Sequence, residues 1–364
     1  MNKNLYAVIL AGGCGTRFWP LSRPKRPKQF LPIAGEKTLF EKTIERIIPA
    51  IERRNIYIVA NVRYDKEIKK QAAFFKIPHK NILLEPSGKN TAPAIAWAAA
   101  CIERIDPQAI MAVLPSDHLI LKPAVFLKHI EEALRLAREG YLVTMGIVPT
   151  RPETGYGYLK VKTIREGDRR FLKVERFVEK PPAEKAAQFF KEKKYLWNSG
   201  MFVWKTETIL KAFEKYLPEV CRLLRLQDNL NDVRRIWDQI PNVSVDYGIL
   251  EKAHHVAAVA GHDMGWSDVG SWEALWEVLS KDKKGNTLKG NIVSLDCENS
   301  LIHSGKRLVV AIGLKGVVIV DTPDCLLVCR KEASQRIKEV VAALQENRTT
   351  KHRTTRHKTT GAQD

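Results

Sequence analysis

The sequence predicts an α/β fold in which a parallel sheet carries helices on both faces and a small β-helix or β-roll domain follows. Three observations predict it. Short aliphatic and β-branched runs alternate with amphipathic stretches through the first half of the chain. A Gly-rich turn directly follows the first of these runs. Past Lys281 the texture changes to short strands at small spacing, with Gly or Asp at the corners.

Taken in order, residues 6–10, 56–60, 82–84, 110–114 and 142–145 read as buried strands, and 39–48, 65–75, 92–104 and 125–138 as the helices between them. From about Gly155 strand-rich segments enter at 156–161, 174–178 and 201–204, with helices at 183–193, 206–216 and 272–279. The C-terminal strands are expected at 290–292, 300–303, 308–312, 317–320 and 326–328, closed by an amphipathic helix at 334–345. The polar stretch Asp282–Asn286 marks the boundary. The expected domains are 1–282, 283–346 and a disordered basic tail at 347–364.

Composition bounds what such a chain can do. With 364 residues, 45% hydrophobic and 28% charged, it can bury a sizeable core, which excludes wholesale disorder and a disulfide scaffold. No apolar run reaches the roughly 18 to 20 residues of a spanning helix. Lys and Arg exceed Asp and Glu by 60 to 41, a net charge of +19 that favours anionic partners, phosphate-rich small molecules among them. Basic aromatic patches of the nucleic-acid-binding kind are missing, so neither nucleic acid nor membrane is an expected partner. The six cysteines show no paired spacing, which suits reduced thiols and a cytoplasmic location. The apolar stretch Leu5–Ala11 before Cys14 superficially resembles an export signal with a lipidated cysteine, but it is short for one and is discounted.

Chemistry concentrates at strand ends. Leu10-Ala11-Gly12-Gly13-Cys14-Gly15-Thr16-Arg17 is a Gly-rich turn at the carboxyl end of the first strand, where backbone N–H groups can approach an anion. It is neither a Walker A loop nor G-x-G-x-x-G. Arg17 and the run Arg23, Lys25, Arg26, Lys28 add the cations that a triphosphate requires. Ser116-Asp117-His118 follows another strand, so Asp117 emerges at the carboxyl edge of the sheet. Among phosphates a carboxylate serves mainly as a Mg²⁺ ligand; a lone Asp here would be read instead as a cap of the next helix. Glu179-Lys180-Pro181 ends a strand with acid beside base. Alternation would point the two side chains apart unless the strand stops there, and a solvated strand end is the other reading. Trp197, Trp204, Trp266 and Trp272 could wall a site or fill core. The pairs His254-His255 and His262-Asp263 lack a third ligand at a suitable interval and receive no role.

Residues 10–29 (LAGGCGTRFWPLSRPKRPKQ) resemble the signature of the sugar nucleotidyltransferases, and 18–23 resemble its mannose-1-phosphate guanylyltransferase branch. Further matches are EPSGKNTAPAI at 85–95, PSDH at 115–118, GYGY at 155–158, VEKP at 178–181, WNSGMF at 197–202, VDYGILE at 245–251 and WSDVGSW at 266–272. The resemblance covers roughly residues 3 to 330. It implies a Rossmann-like nucleotidyltransferase sheet and the conversion of GTP and α-D-mannose 1-phosphate to GDP-mannose and diphosphate. By resemblance, Asp117 and Asp268 hold a Mg²⁺ or other divalent ion, and Arg17 and Lys28 act with them in catalysis. Nucleotide contacts fall to Gly12, Gly13, Gly15, Thr16, Glu85, Pro86, Asn90, Thr91 and Ser116, and sugar-phosphate contacts to Gly157, Glu179, Lys180 and Asn198. His118 reads as structural. Glu85 is placed to accept the two neighbouring donors of guanine, N1–H and the 2-amino group; the other reading pairs it with Lys89 or Arg17.

Three alternatives stay open: another base or hexose 1-phosphate, a catalytically silent regulatory homologue, and a nucleic-acid binder suggested only by charge. No phosphomannose isomerase activity is expected, because no His-x-His cluster follows Asp282 and the chain stops short of such a domain. A homodimer is the assembly to test.

Overall fold

The computed structural model describes residues 3–13, 15–166, 169–225 and 230–344. It divides the chain into two compact units, one of Met1–Gly12 with Leu39–Asp268 and one of Gly13–Thr38 with Val269–Asp364. The Gly-rich turn is thus shared out: Gly12 belongs to the first unit, and everything from Gly13 to Thr38 belongs with the C-terminal part.

The first unit is built on β1 (Leu5–Leu10), β2 (Ile56–Asn61), β3 (Ile82–Glu85) and β4 (Ile110–Pro115), which lie in the order β3-β2-β1-β4 and are all parallel. Both alternating sets of side chains are buried: Tyr6, Val8 and Val113 on one face, Ala7, Ile9 and Leu114 on the other. A strand buried on both faces needs cover on both sides, which α1 (Leu39–Ile47), α2 (Asp65–Phe74), the almost wholly buried α3 (Thr91–Glu103) and α4 (Pro123–Arg138) help to provide. A short β5 (Leu119–Ile120) precedes α4.

Beyond β4 the sheet departs from the all-parallel expectation. It continues through β9 (Tyr195–Lys205), β6 (Leu142–Ile147), β10 (Val256–Ala260), β8 (Arg169–Val178) and β7 (Tyr158–Glu166). Here β9 runs antiparallel to both β4 and β6, and β7–β8 is a long hairpin. Because β7 also pairs with β9, these five strands close into a ring. Helices α5 (Ala183–Glu192), α6 (Thr206–Tyr216), α7 (Pro218–Arg225) and α8 (Leu230–Ile236) complete the unit, and β11 (Trp266–Ser267) pairs antiparallel with β5. The sequence reading missed α7, α8, β10 and the β5–β11 pair, and it shortened β7, β8 and β9. The charged faces of the hairpin hide its alternation.

In the second unit, α9 (Trp272–Val278) is followed by β12 (Thr287–Lys289), β13 (Ile292–Leu295), β14 (Leu301–His303), β15 (Val309–Ile312), β16 (Val317–Thr322) and β17 (Cys325–Arg330). From β12 to β16 successive strands alternate between a sheet ordered β12-β14-β16-β17 and a parallel pair β13–β15, the coiling of a β-helix, and β17 folds back antiparallel on β16. Cys297, Ile302, Ala311 and Ile319 fill it. The segment 13–38 is fastened to this unit by tilted packing of Phe18 against Trp272 at 4.9 Å between ring centres, by Lys289 Nζ on the Pro32 carbonyl at 2.6 Å, and by the Arg23–Asp324 ion pair at 2.9 Å. The five described cysteines are free. The expected disordered tail lies outside the described residues.

Candidate active site

The carboxyl edge of β1–β4 collects the first group of predicted residues. Ser116 N–H donates to the Leu10 carbonyl at 3.0 Å and Ala11 N–H to that of Val59 at 2.8 Å. The registers Leu10↔Pro115 and Asn61↔Glu85 then bring Gly12, Glu85, Ser116 and Asp117 out at one edge. Glu85 is only 4% exposed, its Oε1 has no hydrogen-bond partner, and its Oε2 stands 3.0 Å from the position a Cβ would take on Gly12. Burial pushes its pKa up to about 8. The pairing with Lys89 does not form, since Lys89 Nζ donates to the Asp238 carbonyl at 3.2 Å. A buried acceptor left open this way is costly without a ligand and well suited to one that brings two donors.

Asn90 and Thr91 have structural work at this edge. The Asn90 side chain caps α3 by accepting from Thr91 N–H at 3.0 Å, and Thr91 Oγ1 accepts from Val245 N–H at 2.9 Å. Pro86 lies in the bend that follows β3.

The two expected metal carboxylates flank a ladder of only two residue pairs. The register Ser267↔Leu119 puts Asp268 and Asp117 at the same end of the β5–β11 pair. Asp117 is not a helix cap, because Lys122 occupies that position on α4. Tyr156, which sequence reasoning left aside within its GYGY motif, donates its hydroxyl to Asp268 Oδ1 at 2.6 Å and packs edge-on against both Trp197 and Trp266. Burial and the Asp268 charge drive its pKa far upward, so it remains a donor. The Trp266 indole N–H donates to His118 Nδ1 at 3.2 Å, which leaves the imidazole proton on Nε2, 3.9 Å from Asp117 Oδ1. His118 is thus held by Trp266 beside Asp117. Among the described residues no three His, Cys, Asp or Glu gather as a metal cluster. Two carboxylates at one edge match what Mg²⁺ takes from a protein when phosphate oxygens and water complete its shell, so the donor set fits the expected ion.

A second group lies around the end of β8. The strand stops at Val178 and Lys180 adopts φ 44°, so the alternation that would separate Glu179 from Lys180 no longer applies. The two pair at 2.5 Å. A Cβ on Gly157 would come within 2.5 Å of Glu179 Oε2, so a larger residue there would displace the Glu179 carboxylate from its present position. The Gly157 carbonyl accepts from Asn198 N–H at 2.8 Å. The Asn198 amide is fixed at both ends, with Oδ1 accepting from Thr144 Oγ1 at 3.0 Å and Nδ2 donating to Asp246 Oδ1 at 2.8 Å. Burial, then the neighbouring Glu179 charge, raises Asp246 to about 6. Glu251 Oε1 accepts from Glu179 N–H at 3.3 Å. Asp246 and Glu251 were not singled out either, although both stand in VDYGILE.

The remaining predicted residues belong to the second unit. Gly15 has φ 51°, and a Cβ there would lie 2.5 Å from that of Lys28, so the turn closes on Lys28 only because residue 15 is glycine. Gln29 Nε2 holds the Gly13 carbonyl at 2.9 Å. Lys28 is 6% exposed and its ammonium donates to the Val269 carbonyl at 3.2 Å. Thr16 and Arg17 open a short 3₁₀ turn, with the Arg17 side chain exposed.

Residues 6–285 match the family described as Nucleotidyl transferase, and residues 290–344 match the MannoseP isomerase/GMP-like beta-helix domain. The chain belongs to the nucleotidyl transferase family. Within it, the chain is 40% identical over 357 residues to a mannose-1-phosphate guanylyltransferase of Escherichia coli, covering 96% of this chain and 75% of that protein. A mannose-1-phosphate guanylyltransferase of Klebsiella pneumoniae matches at the same identity and coverage. A solved structure from Thermus thermophilus, described as mannose-1-phosphate geranyltransferase, superposes with a TM-score of 0.85 at 33% identity over 94% of this chain and 99% of its own.

Proposed function

We propose that this protein is a mannose-1-phosphate guanylyltransferase, converting GTP and α-D-mannose 1-phosphate to GDP-mannose and diphosphate. The observation that carries the reading is the agreement along 96% of the chain with relatives of that activity. The open carboxyl of Glu85 supports the choice of base, since guanine presents two adjacent donors where adenine presents an unprotonated N1 and no 2-amino group.

In this reading a sugar-phosphate oxygen attacks the α-phosphorus of GTP in line, and the bond to the β-phosphate oxygen breaks as diphosphate leaves. No side chain needs to form a covalent bond, so the protein supplies position and charge. Gly12, Gly13, Gly15 and Thr16 offer backbone N–H groups to the phosphates, with Arg17 and Lys28 as the cations. Glu85 and Pro86 meet the base, Ser116 supports the nucleotide, and Asn90 and Thr91 shape the loop. Glu179, Asn198 and the Gly157 backbone read sugar hydroxyls, and Lys180 holds the sugar phosphate. Asp117 and Asp268 would hold Mg²⁺, which when bound neutralises phosphate charge. Tyr156 keeps one Asp268 oxygen occupied and thereby sets the orientation of the other. Among the described residues no helix is long and apolar enough to cross a membrane, and a cytoplasmic location is part of the proposal.

Diphosphate release measured over a matrix of GTP, ATP, UTP and dTTP against mannose and glucose 1-phosphates tests the reading. The highest kcat/KM is expected for GTP with mannose 1-phosphate. A higher value for any other pair replaces the assignment.

A further inference from the structure

The five-strand ring of the first unit has an open mouth. A cavity of about 840 Å³ lies there, within the size range of small-molecule sites. Val161 and Thr163 of β7, Leu172 of β8, Leu196 of β9 and Ala260 of β10 line it, together with Val148 just beyond β6. The mouth of a closed ring of strands is a recurrent place for ligands, because the strands hold the walls apart.

Two features distinguish it from an ordinary crevice. Val148 and Phe190, 43% and 36% exposed, leave large apolar surface facing its opening. Lys191, Lys193 and Lys194 stand on the same rim, all exposed, and none pairs with a carboxylate among the described residues. An apolar floor with unpaired ammonium groups along one side is complementary to a molecule with an apolar body and one anionic head. Besides the three ammonium groups, the polar side chains of the lining are those of Thr163, Tyr195 and His262, too sparse a set to satisfy a base, a ribose and a triphosphate together.

We propose that the mouth of this ring is a second ligand site, separate from the nucleotidyl-transfer residues, that takes an amphipathic anion. None of the candidate active-site residues lines the cavity. An occupant would nonetheless rest on the strands that carry them: Leu196 is two residues from Asn198, and Val161 is four from Gly157.

The full chain is titrated with 8-anilinonaphthalene-1-sulfonate and with its uncharged counterpart N-phenyl-1-naphthylamine, followed by dye fluorescence with and without saturating GTP and mannose 1-phosphate. Lys191→Gln with Lys194→Gln is expected to raise the Kd of the sulfonate at least about fivefold while leaving that of the neutral dye within about twofold. Thr163→Trp, at an exposed strand position that tolerates a large side chain, should weaken both dyes by obstructing the mouth. Substrates should displace neither. Sulfonate affinity unchanged in both variants puts the dye elsewhere, for example on exposed Val293, Leu295, Val310 and Ile312, and overturns the proposal. Displacement by GTP or by mannose 1-phosphate overturns it as well, since the dye then occupies the transfer site.

Discussion

Replacing Glu85 by Gln separates the cost of burying a carboxyl from its use in binding. Burial lifts the folded-state pKa from 4.5 to about 8. For an acid whose folded pKa is raised, the folded state binds the extra proton between those values, so stability falls as pH climbs through that window. At about 1.4 kcal/mol per unit, the full penalty above pH 8 is on the order of 4 to 5 kcal/mol. Gln copies the shape of the neutral acid and carries no charge. The ligand-free variant should therefore match the parent near pH 4.5 and melt several degrees higher near pH 9, given roughly 2 °C or somewhat less per kcal/mol for a chain of this length. The assay is thermal unfolding of both proteins at half-unit steps from pH 5 to 9. A difference in Tm that stays constant with pH would refute the reasoning, because it would show a carboxyl that is already solvated or paired.

Binding should change in the opposite sense. Guanine's two donors favour the ionised carboxylate, so GTP binding to the parent releases a proton. Its affinity should rise up to about tenfold per pH unit between pH 6 and 8 and level off above. In Glu85→Gln that slope disappears, GTP use weakens by roughly 2 kcal/mol, and the preference over ATP shrinks. A variant more stable at pH 9 but unaltered in its GTP-to-ATP ratio would place base selection elsewhere, near the Gly12 or Pro86 backbone.

Asp117→Asn and Asp268→Asn should each lower turnover by two orders of magnitude or more, on the order of 3 kcal/mol; near-normal turnover at ordinary Mg²⁺ removes that residue from the site. Lys180→Ala should raise KM for mannose 1-phosphate more than KM for GTP, and equal effects would reassign it. Tyr156→Phe deletes the 2.6 Å bond to Asp268, so Mn²⁺ binding followed by paramagnetic resonance should weaken about tenfold; unchanged binding makes the tyrosine a packing residue only. Truncation after Asn347 should leave activity and Tm nearly unchanged, since 348–364 carries no apolar side chain beyond Ala362, and a large fall in Tm would show that the tail packs.

Much of this arrangement was legible because strand ends are legible. Once residues 6–10, 82–84 and 110–114 read as parallel strands, Gly12, Glu85 and Asp117 had to emerge together at the carboxyl edge. What escaped was set by pairings between distant parts of the chain. Two-residue strands such as β5 and β11 have no periodicity to detect, yet their register is what brings Asp117 and Asp268 to one end. The ring closure depends on β7 pairing with both β8 and β9, and the charged residues along that hairpin conceal its length. The left-handed φ of Lys180 broke the alternation rule used to separate it from Glu179. Tyr156 and Asp246 were invisible as functional residues because a tyrosine between glycines and an aspartate before a tyrosine carry no chemical signal until their partners are known.

Those partners show how the first unit fixes reactive groups with little regular structure around them. Asp268 lies just past a two-residue strand and Asn198 on a strand interrupted by a bulge, so neither side chain is held by ladder geometry alone. In both cases a neighbouring polar group supplies the missing constraint. Tyr156, clamped between two indoles, fixes one oxygen of Asp268, while Thr144 and Asp246 fix the two ends of the Asn198 amide. The two constraints differ in kind: a phenol pushed further from ionisation, and a carboxyl that burial raises to about 6, whose ionised form accepts from an amide N–H. Near pH 5 the second constraint weakens as Asp246 takes up a proton. Sugar-phosphate affinity should therefore fall as the pH is lowered from about 7 to about 5, and an affinity unchanged over that range would show that the Asp246 bond does not hold Asn198 in place.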